Sequence, residues 1–336
     1  MKRDVTIDLM KGVAIILMMV AHLVFDTGMP KHIIHSFHMP LFLIIAGIFA
    51  KDISDIASFR QYTIKNAKRL LLPYVVTMLM LCVWGVLLTY AKHDVSYVIR
   101  HLLSMITASA DGWHTQWGII YAGPIWFLVA LFWVRELFYC IQRICVRAHK
   151  YRDELIMGIS ILLSLISVLT HPYMPSLPFC IMQAFTALGF YAAGWYIHRH
   201  PMPWWVYALC VIAWPFAILY GYIGIDSCTI NYYPLSFIGA CGGTYVIYLL
   251  CKAWAKVISL FNIKHSTLNI TSPLTWCGVY SLPILCMHDF LMYSALMYSI
   301  MIRIPYGGPL VWGGLLAVIM AYILLRIPVL KKVYGG

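Results

Sequence analysis

Ten stretches of this chain consist almost wholly of apolar residues: 5–25, 33–50, 70–90, 119–141, 155–170, 179–198, 204–222, 233–251, 276–300 and 309–327. A helix needs about 20 such residues to cross the hydrocarbon of a bilayer, and most of these runs match that length. The fifth is short and the seventh contains Pro215. Between them lie Met29-Pro30, the charged stretch 51–69, Arg143 to Glu154, Pro172 to Pro178 and Pro201 to Pro203, all of which interrupt apolar periodicity. The pattern predicts an all-α, polytopic transmembrane helix bundle of about ten spans. Residues 1–336 read as a single integral-membrane domain. No stretch between the runs is long enough for a soluble domain, and neither an internal repeat nor a low-complexity tract appears.

Composition agrees, with 62% hydrophobic and 11% charged residues and a mean hydropathy of +0.82. Soluble domains carry about 25% charged residues. The net charge of +12 would suggest a nucleic-acid partner in a soluble protein, but its distribution excludes that here. With the N-terminus inside, 18 of the 24 Lys and Arg fall in cytoplasmic segments and four in outer loops, while Lys11 and Arg135 lie within runs. Positive charge collects on the cytoplasmic side of membrane proteins, so both termini are expected there. Lys2 and Arg3 before an apolar run imitate a signal peptide, but Asp8 and Lys11 interrupt the run and no small-residue cleavage pattern follows, so a retained first span is expected. The ten cysteines are scattered, with no C-x-x-C and no zinc-like His/Cys spacing. No metal is expected.

Candidate chemistry begins in the first run, where Asp8, Lys11 and His22 stand among apolar residues. At about 100° per residue, the path from Lys11 to His22 comes within roughly 20° of three full turns, and Asp8 shares the face. One polar stripe thus follows a membrane helix, with Lys11 and His22 about 16 Å apart along its axis. Ionisable groups inside a span are costly and mark functional sites. Taken singly, Lys11 could snorkel to inner headgroups and His22 could be interfacial; their alignment favours a site.

Four further groups stand out. His35 and His38 share a helix face ahead of Pro40, either as a packing pair or as part of a site. His288 and Asp289 are adjacent, so they point in different directions, and one can line a cavity while the other finds a separate partner. Arg135-Glu136 follows Trp126-Phe127-Leu128 and suits helix contacts. Lys65, Lys68 and Arg69 precede Leu72-Pro73-Tyr74 and read either as a positive-inside signal or as a phosphate dock. The outer connection 91–118 contains Trp113, His114, Gln116 and Trp117, which fit an interfacial belt or a sugar face. Gly239 and Gly243 form a G-x-x-x-G pattern suited to close helix packing.

Taken in order, these blocks resemble the acyltransferase-3 family of integral-membrane acyltransferases, which includes sugar and polysaccharide O-acetyltransferases. Asp8 to Ile15 leading to His22 is similar to the family's basic residue, ten intervening residues and histidine. Phe37-His38-Met39-Pro40-Leu41-Phe42 with Ala46-Gly47 is similar to its second-span block. Lys65, Lys68 and Arg69 look like its basic pair, with lysine where arginine is frequent; Trp126-Phe127-Leu128 and Ser281 to His288 match later blocks. The resemblance covers 5–300. Some family members append a periplasmic esterase-like domain, which is not expected here.

The resemblance implies transfer of an acyl group, usually acetyl, from cytoplasmic acetyl-CoA to a hydroxyl of a cell-surface polysaccharide or lipid-linked sugar, in the bacterial inner membrane. It places His22, Lys11, Asp8 and His38 in the catalytic set and Lys65, Lys68 and Arg69 on the donor's phosphates. His35, Trp113, Trp126 and His288 fall to the acceptor. A neutral His22, ordinarily near pKa 6.5, suits a general base. Oxyanion donors are not readable; His38 and Lys11 are the candidates. The expected partners are the glycan acceptor and membrane lipids, with no nucleic acid and self-association left open. A proton-coupled carrier is the rival class, since intramembrane His, Asp, Arg and Glu with proline-broken helices also serve transport.

Overall fold

The computed structural model describes residues 4–23, 28–53, 55–88, 95–108, 110, 122–174, 177–260, 272–293 and 308–335. Within them run α1 (Val5–Leu23), α2 (Met29–His35), α3 (His38–Ile48), α4 (Ile56–Leu88) and α5 (Val95–Thr107). Next come α6 (Trp126–Ile144), α7 (Arg152–Thr170), α8 (Ile181–Arg199) and α9 (Trp204–Tyr220). A small antiparallel hairpin, β1 (Tyr222–Gly224) and β2 (Thr229–Asn231), leads into α10 (Tyr233–Leu260). Then follow α11 (Pro273–Val279), α12 (Ser281–Tyr293), α13 (Gly308–Leu324) and α14 (Pro328–Tyr334). Among the described residues the chain is all-α apart from the hairpin.

Among the described residues, five helical segments are long and apolar enough to cross a membrane: α1, α2 with α3, α4, α7 and α10. The count becomes six if α13 and α14, bent by 115° at their junction, form one span. The described parts of the expected runs are mostly helical, although the fourth opens with four non-helical residues, 122–125, and the seventh ends in β1 at Tyr222. α6 and α8, each 19 residues like α1 and α7, fall outside this set, and nearly every residue of α8 from Met182 to Trp195 is buried. Helices shielded by others need not be as apolar as those facing lipid.

Several boundaries differ from those expected. The charged stretch 51–69 does not break the chain throughout: α4 is continuous over 33 residues, about 50 Å, and Lys65, Lys68 and Arg69 lie within it. Asp55 starts this helix by accepting the Ser58 N–H at 2.8 Å, a bond that holds its carboxyl below the ordinary carboxylate range. The second run begins earlier, at Met29, and breaks at Ser36–Phe37; the ninth breaks at Tyr280. α5 occupies part of the expected outer loop.

Small residues set the helix crossings. A Cβ on Gly12 of α1 would lie 2.1 Å from the Leu274 carbonyl oxygen of α11, and one on Gly278 of α11 only 1.8 Å from that of Asp8. The α3–α8 crossing repeats the device: Gly47 faces the Tyr191 carbonyl at 1.9 Å, Gly194 that of Ile44 at 2.0 Å. As the G-x-x-x-G spacing suggested, Gly239 abuts Ala217 of α9, while Gly243 abuts Trp214 and Phe37. Backbones in contact without intervening side chains leave little room for adjustment. α1 therefore sits in a fixed register against α11 and carries its polar stripe inward, next to α3, α10 and α12.

Candidate active site

Histidines from three parts of the chain meet at the C-terminal end of α1. The rings of His22 and His288 (α12) lie 5.5 Å apart between centroids, tilted by 46°. Those of His35 and His38, flanking the α2–α3 break, meet edge to face at 5.0 Å. His35 and His38 both lie within electrostatic reach of His22. The break itself is built: Ser36 Oγ donates to the Ile33 carbonyl at 2.7 Å and accepts the Trp214 indole N–H at 2.9 Å, while Trp214 packs edge-on against Phe37.

The hydrogen bonds constrain the chemistry of each ring. His38 Nδ1 faces the Ile34 carbonyl oxygen at 2.9 Å, so that nitrogen carries the proton and the lone pair is left on Nε2. His288 is fully buried, and neither ring nitrogen has a protein partner among the described residues; the same holds for His35 Nε2. Buried polar atoms are normally hydrogen-bonded. Three rings with uncommitted nitrogens at one place form a site that can exchange protons and hydrogen bonds with a bound molecule. Among the described residues no three His, Cys, Asp or Glu side chains are arranged to hold a metal ion.

The other end of α1 has a different character. α3 runs antiparallel beside α1, so Lys11 meets the far end of α3, its ammonium 4.9 Å from the Phe49 ring centroid. Asp8 is buried one turn away at the Gly278 crossing. Two residues beyond Phe49 the chain enters the wall of a cavity of about 340 Å³, lined by Lys51, Asp52, Ile53, Ser58, Gln61, Tyr62 and Lys65. Lys68 and Arg69 are exposed on the same side of α4 as Lys65. The helices thus separate two half-sites by the length of α3, about 16 Å. Lys11 and Asp8 belong to the cavity end, out of reach of atoms that touch His22.

Arg135 and Glu136 join α6 to α4 beside the cavity. Glu136 accepts from Thr63 Oγ1 at 2.7 Å and Asn66 Nδ2 at 3.4 Å, and Arg135 donates to Asn66 Oδ1 at 3.0 Å. This is a structural network, as their sequence context suggested. Asp52 on the cavity wall accepts from Arg199 at 2.8 Å and Gln142 at 3.1 Å, with Arg152 at 3.5 Å; Asp153 accepts from Arg199 at 3.1 Å and His200 at 2.9 Å. Sequence reading missed this cluster, whose members come from segments about 50 to 150 residues apart.

Trp126 is packed in the core, edge-on to Phe127, and Phe127 in turn meets Phe42. Trp113 lies outside the described residues. Asp289 is fully buried beside His288, and neither of its oxygens has a protein partner among the described residues.

A family model described as an acyltransferase domain, acyltransferase-3, matches residues 4–326. No curated protein and no solved structure matches the chain.

Proposed function

The chain belongs to the acyltransferase-3 family, and on that premise we propose that it moves an acetyl group from cytoplasmic acetyl-CoA to a hydroxyl of a cell-surface polysaccharide or lipid-linked sugar. The observation carrying this reading is the pairing of two half-sites along α1 and α3: a lysine-lined cavity at one end and the His22–His288 and His35–His38 rings at the other. In this reading Lys65, Lys68 and Arg69, with Lys51, hold the donor's phosphates. The flexible pantetheine arm follows the Lys11–His22 stripe to the histidines. The chain has about ten spans with both termini cytoplasmic, in the bacterial inner membrane.

His22 acts as general base, taking the proton of the acceptor hydroxyl as its oxygen attacks the thioester carbonyl. A C–O bond forms, the tetrahedral intermediate collapses with cleavage of the C–S bond, and the imidazolium returns its proton to the departing sulfur. The developing oxyanion needs a donor. Neutral His38 has spent its N–H on Ile34, whereas neutral His288 retains one N–H with no protein partner among the described residues, so His288 suits that role. Lys11, about three turns away along α1, is assigned to the donor's path instead. His35 and Trp126, with Trp113, remain candidates for acceptor contacts.

Nothing in the fold or the family match supports the carrier reading. Purified protein given labelled acetyl-CoA and candidate glycans tests the proposal: covalent label in the glycan, lost in His22→Ala, is expected. Counterflow of an unmodified substrate in proteoliposomes, with no labelled product, would refute it.

A further inference from the structure

α13 carries an apolar ridge on the outside of the bundle. Leu315, Ile319 and Tyr322 recur at the spacing of one helix face, and each is about half exposed. The ridge borders a groove of about 380 Å³, walled by Pro273, Trp276 and Cys277 of α11 and by Val318, Ile319 and Tyr322 of α13. Across it, the Trp276 and Tyr322 rings stand 6.3 Å apart between centroids, tilted by 49°. The α11 wall is fixed, because Gly12 and Gly278 hold that helix against α1.

One side chain at the rim differs from the rest. Arg326 follows Tyr322 by one turn, and its amide still donates to the Ile323 carbonyl at 2.9 Å, so the helical path carries it to the end of the same ridge. Its guanidinium lies 4.8 Å from the Tyr322 ring centroid and donates to the Tyr322 hydroxyl. The ion pairs among the described residues do not include it. Tyr322 thus serves twice, lining the groove and holding the arginine at its edge.

An acyl chain alone would fill the groove and offer nothing to the guanidinium, whose remaining N–H groups suit phosphate oxygens. A soluble phosphate would answer the arginine and leave the groove open. A second copy of the chain would shut the guanidinium into a contact made between apolar helices, which is costly. We infer that this groove is a binding site for one phospholipid, with an acyl chain along Tyr322 and Ile319 towards Leu315 and its phosphate on Arg326. Basic groups beside a groove between membrane helices are the usual means of holding a lipid headgroup. None of these residues belongs to either half-site, so the inference stands apart from the acyltransferase reading.

Native mass spectrometry of the full chain in neutral detergent tests it, with three probes: phosphatidylglycerol, diacylglycerol with the same tails, and glycerol 3-phosphate. Wild type is expected to hold one phosphatidylglycerol per chain, about tenfold more tightly than diacylglycerol, as one charged hydrogen-bonding group provides. Arg326→Gln should bring phosphatidylglycerol to the diacylglycerol level and leave diacylglycerol unchanged, with Arg326→Lys between the two. Ile319→Trp, which fills the groove, should weaken both lipids. Lys256→Gln, on α10 and outside the groove, should weaken neither. Equal affinity of wild type for the two lipids, or an unchanged phosphatidylglycerol affinity in Arg326→Gln, would overturn the site. So would equal losses in Lys256→Gln and Arg326→Gln, which would reduce it to general charge attraction. Glycerol 3-phosphate bound as tightly as the phospholipid would make it a soluble-anion site, and paired chains without lipid would make the groove a contact between copies; either result refutes the inference.

Discussion

Replacing Gly278 by alanine should disable the enzyme without touching any group that meets substrate. The added Cβ would lie 1.8 Å from the Asp8 carbonyl oxygen, where ordinary contact begins at 3.4 Å, so α1 and α11 must part by about 1.6 Å. The obstacle is backbone within a helix, which cannot swing aside as a side chain would. α11 leads within two residues into α12, which carries His288, while α1 carries His22. The separation is therefore passed to the 5.5 Å pair. A displacement near 1 Å at a reacting centre costs about 10²-fold in rate, and overpacking a tight contact costs about 1–3 kcal/mol of stability. Initial rates of label transfer, with thermal unfolding in detergent, measure both. Gly158→Ala is the control, since a Cβ there meets nothing within 4 Å, and it should leave rate and fold intact. Wild-type rates in Gly278→Ala would show that the crossing does not set the histidine geometry.

Other outcomes follow from the same geometry. His22→Ala should lower transfer by about 10²–10⁴-fold while membrane insertion and melting stay normal, and near-wild-type activity would remove His22 from proton transfer. Neutralising Lys65, Lys68 and Arg69 together with glutamine should raise the KM for acetyl-CoA and leave the acceptor KM unchanged; unchanged donor affinity would return this run to a topology signal. Glu136→Ala leaves Thr63 and Asn66 without their acceptor and should cost about 1–3 kcal/mol, read as a lower melting temperature. Ser272→Ala removes the reciprocal cap that starts α11 and should cost about 0.5–2 kcal/mol.

The apolar runs and the Lys11–His22 spacing were legible because both are local: a window of one helix contains all the information. The grouping of His22 with His288 and with His35–His38 joins residues up to 266 positions apart, and only the ordered family blocks hinted at it. The helix break between His35 and His38 is tied to Trp214 by a hydrogen bond, and that residue is indistinguishable in sequence from any other membrane tryptophan. Arg135 and Glu136 were readable as structural because an adjacent charged pair inside a buried helix requires partners. The extension of α4 through the basic run was not legible: a charged stretch on a continuous helix looks like a loop when hydropathy alone marks the boundary. Asp289 was visible as an oddity, but that neither of its oxygens has a protein partner among the described residues becomes apparent only in three dimensions.

Arg199 has an influence beyond its own position. It does not line the cavity, yet it neutralises Asp52, which does. With that carboxylate compensated, an arriving polyanion meets the two lysine ammoniums of the wall without an opposing charge. Arg199→Gln would leave Asp52 only the 3.5 Å contact with Arg152 as a compensating charge, and added salt would mask the difference because the pair is partly exposed. If this cavity takes the donor, its attraction for the polyanion would thus depend on the far end of α8, a helix that contributes nothing to its lining.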